Sequence, residues 1–249
     1  MLDNSRIYKS HEYASYRPQY PKELFEWLST LPPSTSRAWD CGTGNGQVAR
    51  GIARYFDSVT ASDSNRSQID TCFPVRNVRY VVEPAEQSSL VDSSVDLVTA
   101  ACAVHWFERG KFFEQVQRVL KPDGVIAIWC YEYPWTGNER VDAILRCYKD
   151  EVLKDDWPAE SQLYFNRYRD LEFPFRELES PTPSFKIACS WSCSDLINFL
   201  STWTGPINYK ERTGEDASVC IAEQLHTAWI DEELANTISL PIYLKVGRL

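Results

Sequence analysis

The sequence predicts an α/β fold whose central β-sheet is mostly parallel. From about residue 36, short apolar runs rich in β-branched residues alternate with segments whose apolar residues recur at helical spacing, and this alternation is typical of β-α-β units. A glycine-rich turn also follows the first of these runs directly and opens a helical segment. Because a helix joins one strand to the next, successive strands are expected to run parallel.

Five strands and two helices are predicted within this region, since turn residues bound each apolar run. The predicted strands are Arg37–Cys41, Val59–Ser62, Val78–Val82, Val95–Ala100 and Val125–Tyr131. The predicted helices are Gln47–Phe56 and Lys111–Leu120. The turn KPDG at residues 121–124 is expected to end the second helix.

Further elements are predicted on both sides of this region. A short helix with proline at its start, PKELFEWLSTL, precedes it. Helical pieces at Glu139–Leu153 and Glu160–Leu171 follow it, and the proline-rich link EFPFRELESPTP after them has no strand pattern. The remaining predicted elements are a strand (FKIACSW), a helix capped near Ser192 or Ser194, a helix around Ser218–Asn236, and a last strand (ISLPIYLKV).

Composition and charge argue against several classes of protein. The chain is 43% hydrophobic and 24% charged, as in ordinary globular proteins. Its formal net charge is −9 and its Lys and Arg residues are scattered, whereas proteins that bind nucleic acid usually carry a basic patch. No apolar run reaches the roughly 20 residues that a membrane-spanning helix requires. We therefore expect neither nucleic acid nor a membrane as a partner.

The eight cysteines are expected to be free thiols. They form no Cys-x-x-Cys pair, and the start of the chain, MLDNSRIYKSHEY, lacks the apolar core of a signal peptide. Most of the cysteines lie in apolar runs, where a thiol behaves as a small hydrophobic group. A cytoplasmic location is therefore the expectation.

The segment DCGTGNG at residues 40–46 is the most informative about function. Its glycines let the backbone turn tightly and approach a ligand, and the unpaired N–H groups of the following helix can donate to a polar or anionic group. Nineteen residues beyond Gly44, Asp63 ends the second predicted strand, where an acidic side chain can accept hydrogen bonds from both hydroxyls of a ribose. These elements occur in the order that a nucleotide-binding site requires.

The glycine spacing is G-x-G-x-G rather than the G-x-G-x-x-G of dinucleotide folds, and an aspartate lies two positions before the first glycine. DCGTGNG resembles the first motif of class I S-adenosylmethionine-dependent methyltransferases, whose acid and glycine loop hold the methionine part of the cofactor. In that family an acid after the second strand holds the ribose. The resemblance implies S-adenosylmethionine as cofactor and S-adenosylhomocysteine as its product. The candidate cofactor-binding residues here are Asp40, Gly42, Thr43, Gly44, Gly46, Asp63 and Ser64.

Two further segments extend the resemblance. Ala85 and Glu86 follow the third strand, where the family places residues that contact adenine, although a solvated acidic turn explains the same residues equally well. The fourth strand leads into AACAVHWF at residues 100–107, at the carboxyl edge where α/β sheets bind ligands. Ala101 is a further candidate for cofactor binding there.

Together with VLKPDG and the strand after it, this stretch is similar to a branch of small-molecule methyltransferases that includes trans-aconitate methyltransferases. The segments YASYRPQYP and PIYLKVGR carry the similarity to both ends of the chain. The resemblance implies a Rossmann-like sheet of seven strands whose last strand, Ile238–Val246, is antiparallel. It also implies a small molecule as methyl acceptor, while the proline-started helix is expected to be an N-terminal cap helix and the helical pieces after residue 133 a helical insertion.

We interpret residues 1–249 as a single methyltransferase domain, because this length suits one α/β domain with an insertion. Residues 1–33 would form an N-terminal cap and residues 36–133 the cofactor-binding half. Residues 134–184 would form a lid or insertion, and residues 185–249 the C-terminal strands and helices.

Methyl transfer from a sulfonium is an in-line displacement at an activated carbon, so the protein mainly aligns the nucleophile and excludes water. A hydroxyl or protonated amine acceptor needs a base, for which His105 is the candidate, whereas a carboxylate needs none. Beside Trp106 and Phe107, His105 can instead shape the pocket, and we favour that role. Tyr16 and Arg17 are candidates for closing over the cofactor, with Arg17 offering a fork of donors to its carboxylate; a surface ion pair is the alternative.

The predicted function is O- or N-methylation of a small molecule, with a carboxylate or hydroxyl acceptor favoured. A repurposed S-adenosylmethionine-binding protein is one alternative, because an intact glycine loop indicates binding rather than turnover. An NAD-dependent oxidoreductase is another, although the glycine spacing differs and no Tyr-x-x-x-Lys pair is present. We predict no metal, since no cluster of acidic ligands follows the strands. We expect a monomer or a homodimer.

Overall fold

The computed structural model describes residues 16–178, 183–229 and 235–249. The strands are β1 (Arg37–Cys41), β2 (Ser58–Asp63), β3 (Val78–Val82), β4 (Val95–Ala101), β5 (Leu120–Tyr131), β6 (Arg176–Glu177), β7 (Phe185–Trp191) and β8 (Asn236–Arg248). The α-helices are α1 (Lys22–Ser29), α2 (Gln47–Ile52), α3 (Arg66–Ile69), α4 (Arg109–Val119), α5 (Glu139–Cys147), α6 (Ser161–Phe165), α7 (Cys193–Ser201), α8 (Thr204–Thr213) and α9 (Val219–Ala228). Within these ranges no helix is long and apolar enough to cross a bilayer.

The strands form a mixed sheet in the order β3-β2-β1-β4-β5-β8-β6, with β7 paired to β8. Strands β1 to β5 pair in parallel, and β8 pairs antiparallel to β5. The predicted α/β fold with a mostly parallel sheet and an antiparallel last strand is therefore confirmed. The helix before β1 and the helices between β5 and β6 also agree with it.

The described residues contain one strand more than the seven predicted. Arg176 and Glu177 lie in the proline-rich link to which no strand was assigned, and they pair with Arg248 and Gly247 of β8. A two-residue strand has too few residues to show an alternating pattern, so its pairing depends on contacts that are distant in the chain. Residues 179–182 of this link lie outside the described residues.

Contacts between Cα atoms divide the chain into two compact units. One unit comprises residues 19–132, 163–186 and 241–249 and contains β1 to β5. The other comprises residues 1–18, 133–162 and 187–240, of which 1–15 and 230–234 are not described. The interpretation of the whole chain as one domain stays a prediction.

The parallel strands are covered on both faces. All but the last residue of β4 are buried, and so is every residue of β5 from Gly124 onward, which is typical of strands in the middle of a parallel sheet. Trp39 of β1 packs against Phe112 of α4 with ring centroids 6.2 Å apart. The apolar runs that predicted strands therefore form the hydrophobic core beneath the carboxyl edge of the sheet.

Two helices end earlier than predicted, for identifiable reasons. Helix α2 ends at Ile52, and the Asn77 side chain donates to the carbonyl groups of Ala53 and Phe56, each at 2.8 Å. Helix α6 covers only Ser161–Phe165 of the predicted Glu160–Leu171, because Arg167 and Tyr168 adopt left-handed φ values of 64° and 58° that an α-helix cannot include.

Other boundaries also differ. The KPDG segment belongs to β5, where Asp123 has φ 62°. Helix α5 passes into a π-helical turn at Tyr148–Val152. Helix α8 was not predicted. Its Gly205-Pro206 pair is typical of a turn, but Pro206 lies in the first turn of the helix, where proline is tolerated. The helix predicted around Ser218–Asn236 is described only over Val219–Ala228.

Ser192 is the cap of helix α7, which decides between the two serines proposed. Its hydroxyl accepts a hydrogen bond from the Asp195 backbone at 3.1 Å, and the Asp195 carboxylate accepts one from the Ser192 backbone at 2.9 Å. This reciprocal capping box satisfies two N–H groups that the helix leaves unpaired.

Gly51 allows helices α1 and α2 to pack closely, because a Cβ there would lie 2.3 Å from Cε2 of Phe25. We expect Gly51→Ala to lower the free energy of unfolding by about 1–3 kcal/mol through overpacking, despite the roughly 1 kcal/mol by which alanine favours a helix over glycine. Gly110 of α4 is the matched control, since a Cβ there meets nothing within 4 Å, and Gly110→Ala should be neutral or stabilising. Urea denaturation of both variants tests this, and equal effects would contradict it.

Candidate functional site

The glycine-rich loop between β1 and α2 has a backbone that favours glycine at three positions. Gly42, Gly44 and Gly46 have φ values of 66°, 56° and 78°, in the left-handed region that other residues rarely adopt. The Thr43 amide donates to the carbonyl of Ser62 on β2 at 2.9 Å, and the Gly46 amide donates to the Thr43 carbonyl at 2.9 Å. The loop is therefore a tight turn fixed to the end of the neighbouring strand.

The three glycines have different surroundings. A Cβ on Gly42 would lie 2.6 Å from Cβ of Ala103, and one on Gly46 would lie 2.9 Å from Cε1 of Tyr80. A Cβ on Gly44 would meet only Oε1 of Gln68, at 3.8 Å. The outer two glycines thus permit close packing against the protein, whereas a Cβ at Gly44 would make only an ordinary contact, so that position is the least crowded of the three.

Asp40 lies beneath this loop and is 1% exposed. Its Oδ2 accepts hydrogen bonds from the Thr43 hydroxyl and, at 3.1 Å, from the Ala49 backbone. Its Oδ1 accepts from the Thr99 hydroxyl at 2.8 Å. Burial raises the pKa of Asp40 to about 6, while these hydrogen bonds lower it. The carboxyl group therefore connects the loop, the first turns of α2 and strand β4.

Asp63 joins the end of β2 to the same loop. Its Oδ2 accepts from the Gly44 backbone at 2.9 Å, and its Oδ1 accepts from the Asn65 backbone at 2.8 Å. Burial raises the pKa of Asp63, and the two backbone hydrogen bonds oppose that shift. A carboxylate has about four acceptor sites, so two are left for the hydroxyl groups of a ligand. Ser64, the next residue, is exposed.

Glu86 and Ala85 have structural contacts of their own. Oε1 of Glu86 accepts a hydrogen bond at 2.7 Å from the backbone of Glu108, the residue before helix α4. Ala85 is buried within the hydrophobic core. Glu86 therefore links the segment after β3 to the start of α4, and a contact of either residue with adenine stays a prediction.

His105 is buried at the carboxyl edge of the sheet, in a 3₁₀ turn after β4. Its Nδ1 lies 2.9 Å from the Tyr168 hydroxyl, and its ring lies 5.3 Å from that of Tyr164, centroid to centroid. Burial, together with the positive charge of Arg109, lowers the pKa of His105 to about 3. The imidazole is therefore neutral at pH 7, and a base of such low pKa has little tendency to take a proton.

The other candidates are divided between the two units. Ala101 is half-buried at the end of β4. Tyr16 and Arg17 belong to the other unit, where Arg17 Nη2 donates to the Thr202 carbonyl at 3.0 Å and the guanidinium lies 5.9 Å from the Phe199 ring centroid. This contact differs from the surface ion pair considered from sequence. A role for Tyr16 or Arg17 toward the cofactor stays a prediction.

Sequence reasoning missed Thr99 and Tyr168. Thr99 is fully buried on β4 and contacts Asp40, and its signal was a hydroxyl within the otherwise apolar run LVTAA. Tyr168 contacts His105 from 63 residues away, and no local pattern marks it. Both residues contribute a hydroxyl to a site residue that the sequence did identify.

The comparisons with known proteins match this geometry. A methyltransferase-domain family model matches residues 39–128, and an uncharacterised methyltransferase of Schizosaccharomyces pombe is 35% identical over 81% of this chain and 80% of its own length. The chain belongs to the methyltransferase family. A provisionally assigned methyltransferase of Dictyostelium discoideum is 29% identical over 96% of this methyltransferase and 92% of its own length.

A solved structure agrees with the assignment. A protein from Anaeromyxobacter dehalogenans, provisionally described as a type II methyltransferase, has a TM-score of 0.85 and 36% identity, over 93% of this chain and 97% of that one. The predictions of a class I S-adenosylmethionine-dependent methyltransferase and of S-adenosylmethionine as its cofactor are therefore confirmed. The NAD-dependent oxidoreductase considered from sequence is wrong.

The buried His105 should make the stability of this methyltransferase depend on pH. The pKa of His105 is about 3 in the folded protein, below the ordinary 6.5. As the pH falls through 6.5, His105 therefore takes up a proton in the unfolded chain while it stays neutral in the folded protein. The free energy of unfolding should then fall with decreasing pH, by up to about 1.4 kcal/mol per unit. At pH 6.5 this slope is half its maximum, and above roughly pH 7.5 His105 contributes almost no pH dependence.

Urea denaturation between pH 4.5 and 8 of the wild type and His105→Asn tests this prediction. The stability advantage of the wild type over the variant should shrink as the pH falls, since the contributions of the other titrating groups cancel in the difference. Tyr168→Phe is the control, because it removes a hydrogen bond but keeps the imidazole. A wild-type advantage that is constant with pH would contradict the assignment of a buried, neutral His105.

Proposed function

We propose that this methyltransferase transfers the methyl group of S-adenosylmethionine to an oxygen or nitrogen atom of a small molecule, with a carboxylate or hydroxyl acceptor favoured. The observation that carries the proposal is the hydrogen bond from the Gly44 amide to Oδ2 of Asp63. It joins the glycine loop to the acid at the end of β2, so that one ligand can contact both. We also propose the branch similar to trans-aconitate methyltransferases, which rests on the sequence resemblance.

The residues around the loop fit the cofactor. The uncrowded side of the loop at Gly44 suits the methionine part, and the remaining acceptor sites of Asp63 suit two ribose hydroxyls. Asp40 and Thr43 orient the loop from beneath. S-adenosylmethionine supplies a methyl group already activated by a positively charged sulfur. The protein therefore has to hold the acceptor in line with this group and exclude water.

The remaining candidate residues complete the proposed site. Ala85 and Glu86 would flank the adenine, and Ala101 would border the cofactor at the end of β4. Tyr16 and Arg17 would close over it. These roles rest on the family resemblance.

The surroundings of His105 support an acceptor that reacts without a strong base. A buried imidazole with pKa about 3, whose Nδ1 lies 2.9 Å from the Tyr168 hydroxyl, is better suited to shaping a pocket than to removing a proton. A carboxylate acceptor is already ionised at pH 7 and reacts directly. A hydroxyl acceptor would release its proton to a group other than His105.

The surroundings of His105 also favour a second candidate function. A protein that binds S-adenosylmethionine but no longer transfers its methyl group would keep the glycine loop and would need no base. Formation of S-adenosylhomocysteine in the presence of an acceptor separates the two functions. We propose the transferase as the first.

The proposed partners follow from composition. The formal net charge of −9 disfavours a phosphate-rich partner, so we propose a small-molecule acceptor rather than nucleic acid or a membrane surface. A monomer or homodimer in the cytoplasm, acting without a metal ion, completes the proposal.

Cofactor binding tests the site directly. Asparagine at position 63 offers one acceptor oxygen where the carboxylate offers two, so Asp63→Asn should weaken S-adenosylmethionine binding roughly 10- to 100-fold, as expected for hydrogen bonds to a charged group. Asp70→Asn is the matched control, since the Asp70 side chain is 61% exposed, and it should bind as the wild type does. Calorimetric titration measures the affinities, and equal affinities for all three proteins would refute the proposed role of Asp63.

Acceptor class is tested by turnover. We expect S-adenosylhomocysteine to accumulate with members of a panel of carboxylates, phenols and amines, and the carboxylates and hydroxyl compounds to react best. Binding of S-adenosylmethionine without turnover on any panel member would favour the repurposed binding protein instead.

A further inference from the structure

Thr99 and Asp40 are placed side by side by the register of the sheet. They are Cα partners in the parallel pairing of β1 with β4, and side chains at matching positions of neighbouring strands extend from the same face. Thr99 is fully buried, and its hydroxyl lies 2.8 Å from Oδ1 of Asp40 but 3.5 Å from the Trp39 carbonyl. The hydroxyl therefore donates chiefly to Asp40, because 3.5 Å is at the limit of hydrogen bonding.

The two oxygens of Asp40 have different partners. Oδ1 is held by Thr99 of the rigid sheet, whereas Oδ2 is held by Thr43 of the loop and by Ala49 of α2. Since a carboxyl group is planar, fixing one oxygen fixes the direction in which the other accepts. The orientation of the loop thus depends on a strand residue that lies outside it.

We propose that Thr99 is a positioning residue for S-adenosylmethionine binding, because its hydroxyl holds the Asp40 carboxylate in the orientation that anchors the glycine loop. Thr99 acts through Asp40 and not through contact with the cofactor. The inference rests on the proposed function insofar as the loop is taken as the cofactor site. It adds a residue that neither the sequence motif nor the family resemblance assigns.

The charges near Asp40 make the contribution of Thr99 visible in a pH profile. The titratable groups that interact electrostatically with Asp40 are Asp63, Cys41, Cys72 and Tyr80. Among their own charged partners, Glu86 acts on Cys41, Asp70 acts on Cys72, and Arg50 acts on Cys72 and Tyr80. Burial and the negative charge of Asp63 raise the pKa of Asp40, and the hydrogen bond from Thr99 lowers it. Loss of the Thr99 hydroxyl should therefore raise this pKa further, and the carboxylate would take up a proton at higher pH.

Calorimetric titration of S-adenosylmethionine between pH 5.5 and 8.5 is the experiment. The wild-type affinity should decline as the pH falls through about 6, the pKa of Asp40. Thr99→Val, which keeps the shape of the side chain, should bind roughly tenfold more weakly at pH 7.5, and its decline should begin at a higher pH. Thr99→Ser keeps the hydroxyl and should restore both the affinity and the profile.

Two controls separate positioning from a general loss of packing. Thr60→Val makes the same change at a half-buried position of β2 and should leave affinity and pH profile unchanged. In an Asp40→Ala background, which removes the carboxylate partner of the Thr99 hydroxyl, Thr99→Val should cost little further affinity, because the effects of residues that act through one contact are not additive. If Thr99→Val does not fold, Thr99→Cys, a close match in shape with a weak donor, takes its place.

The outcomes distinguish this inference from the proposed function. Wild-type affinity and pH profile in Thr99→Val, or an equal loss with and without Asp40, would overturn the role of Thr99 while leaving the cofactor site intact. A wild-type chain that binds no S-adenosylmethionine at any pH would overturn the assignment of the loop and this inference with it. The proposal would be supported if Thr99→Val binds more weakly, Thr99→Ser binds as the wild type does, and Thr99→Val causes little further loss in the Asp40→Ala background.

Discussion

The candidate site depends on the register between β1 and its two neighbours. Parallel pairing aligns Asp40 with Ala61 on one side and with Thr99 on the other. The carboxyl ends of these strands therefore meet at one edge, where the glycine loop leaves β1 and Asp63 ends β2. A shift of one residue would turn Asp40 to the opposite face of the sheet and separate it from the loop that it anchors.

Much of the sheet could be predicted because its strands have strong local signals. The bounds of β1 and β3 agree with the predicted ones, since β-branched or aromatic residues there are bounded by turn residues. Elements that depend on distant contacts could not be predicted. Strand β6 is defined only by its pairing with β8. At the start of α8, Gly205 packs against the distant Trp157, whose Cη2 would lie 2.9 Å from a Cβ on that glycine.

The candidate site divides in the same way. Asp40 and Asp63 could be identified because their positions relative to the glycines and strand ends are fixed along the chain. Thr99 could not be assigned a role, because its partner lies 59 residues away. The side chain of Glu86 could be read either as a ligand contact or as a solvated acid, whereas the structure gives it a hydrogen bond to the residue before α4.

Packing at the glycine loop also limits how this family can diversify. At Gly42 and Gly46 a Cβ would lie 2.6 Å from Ala103 and 2.9 Å from Tyr80, and both residues have positive φ, so any other residue there would strain the loop whatever the reaction. A change in the reaction is therefore easier to reach through side chains outside the loop than through its glycines. The most recognisable part of the sequence is thus a signature of shape, and it would persist in descendants that had changed their substrate.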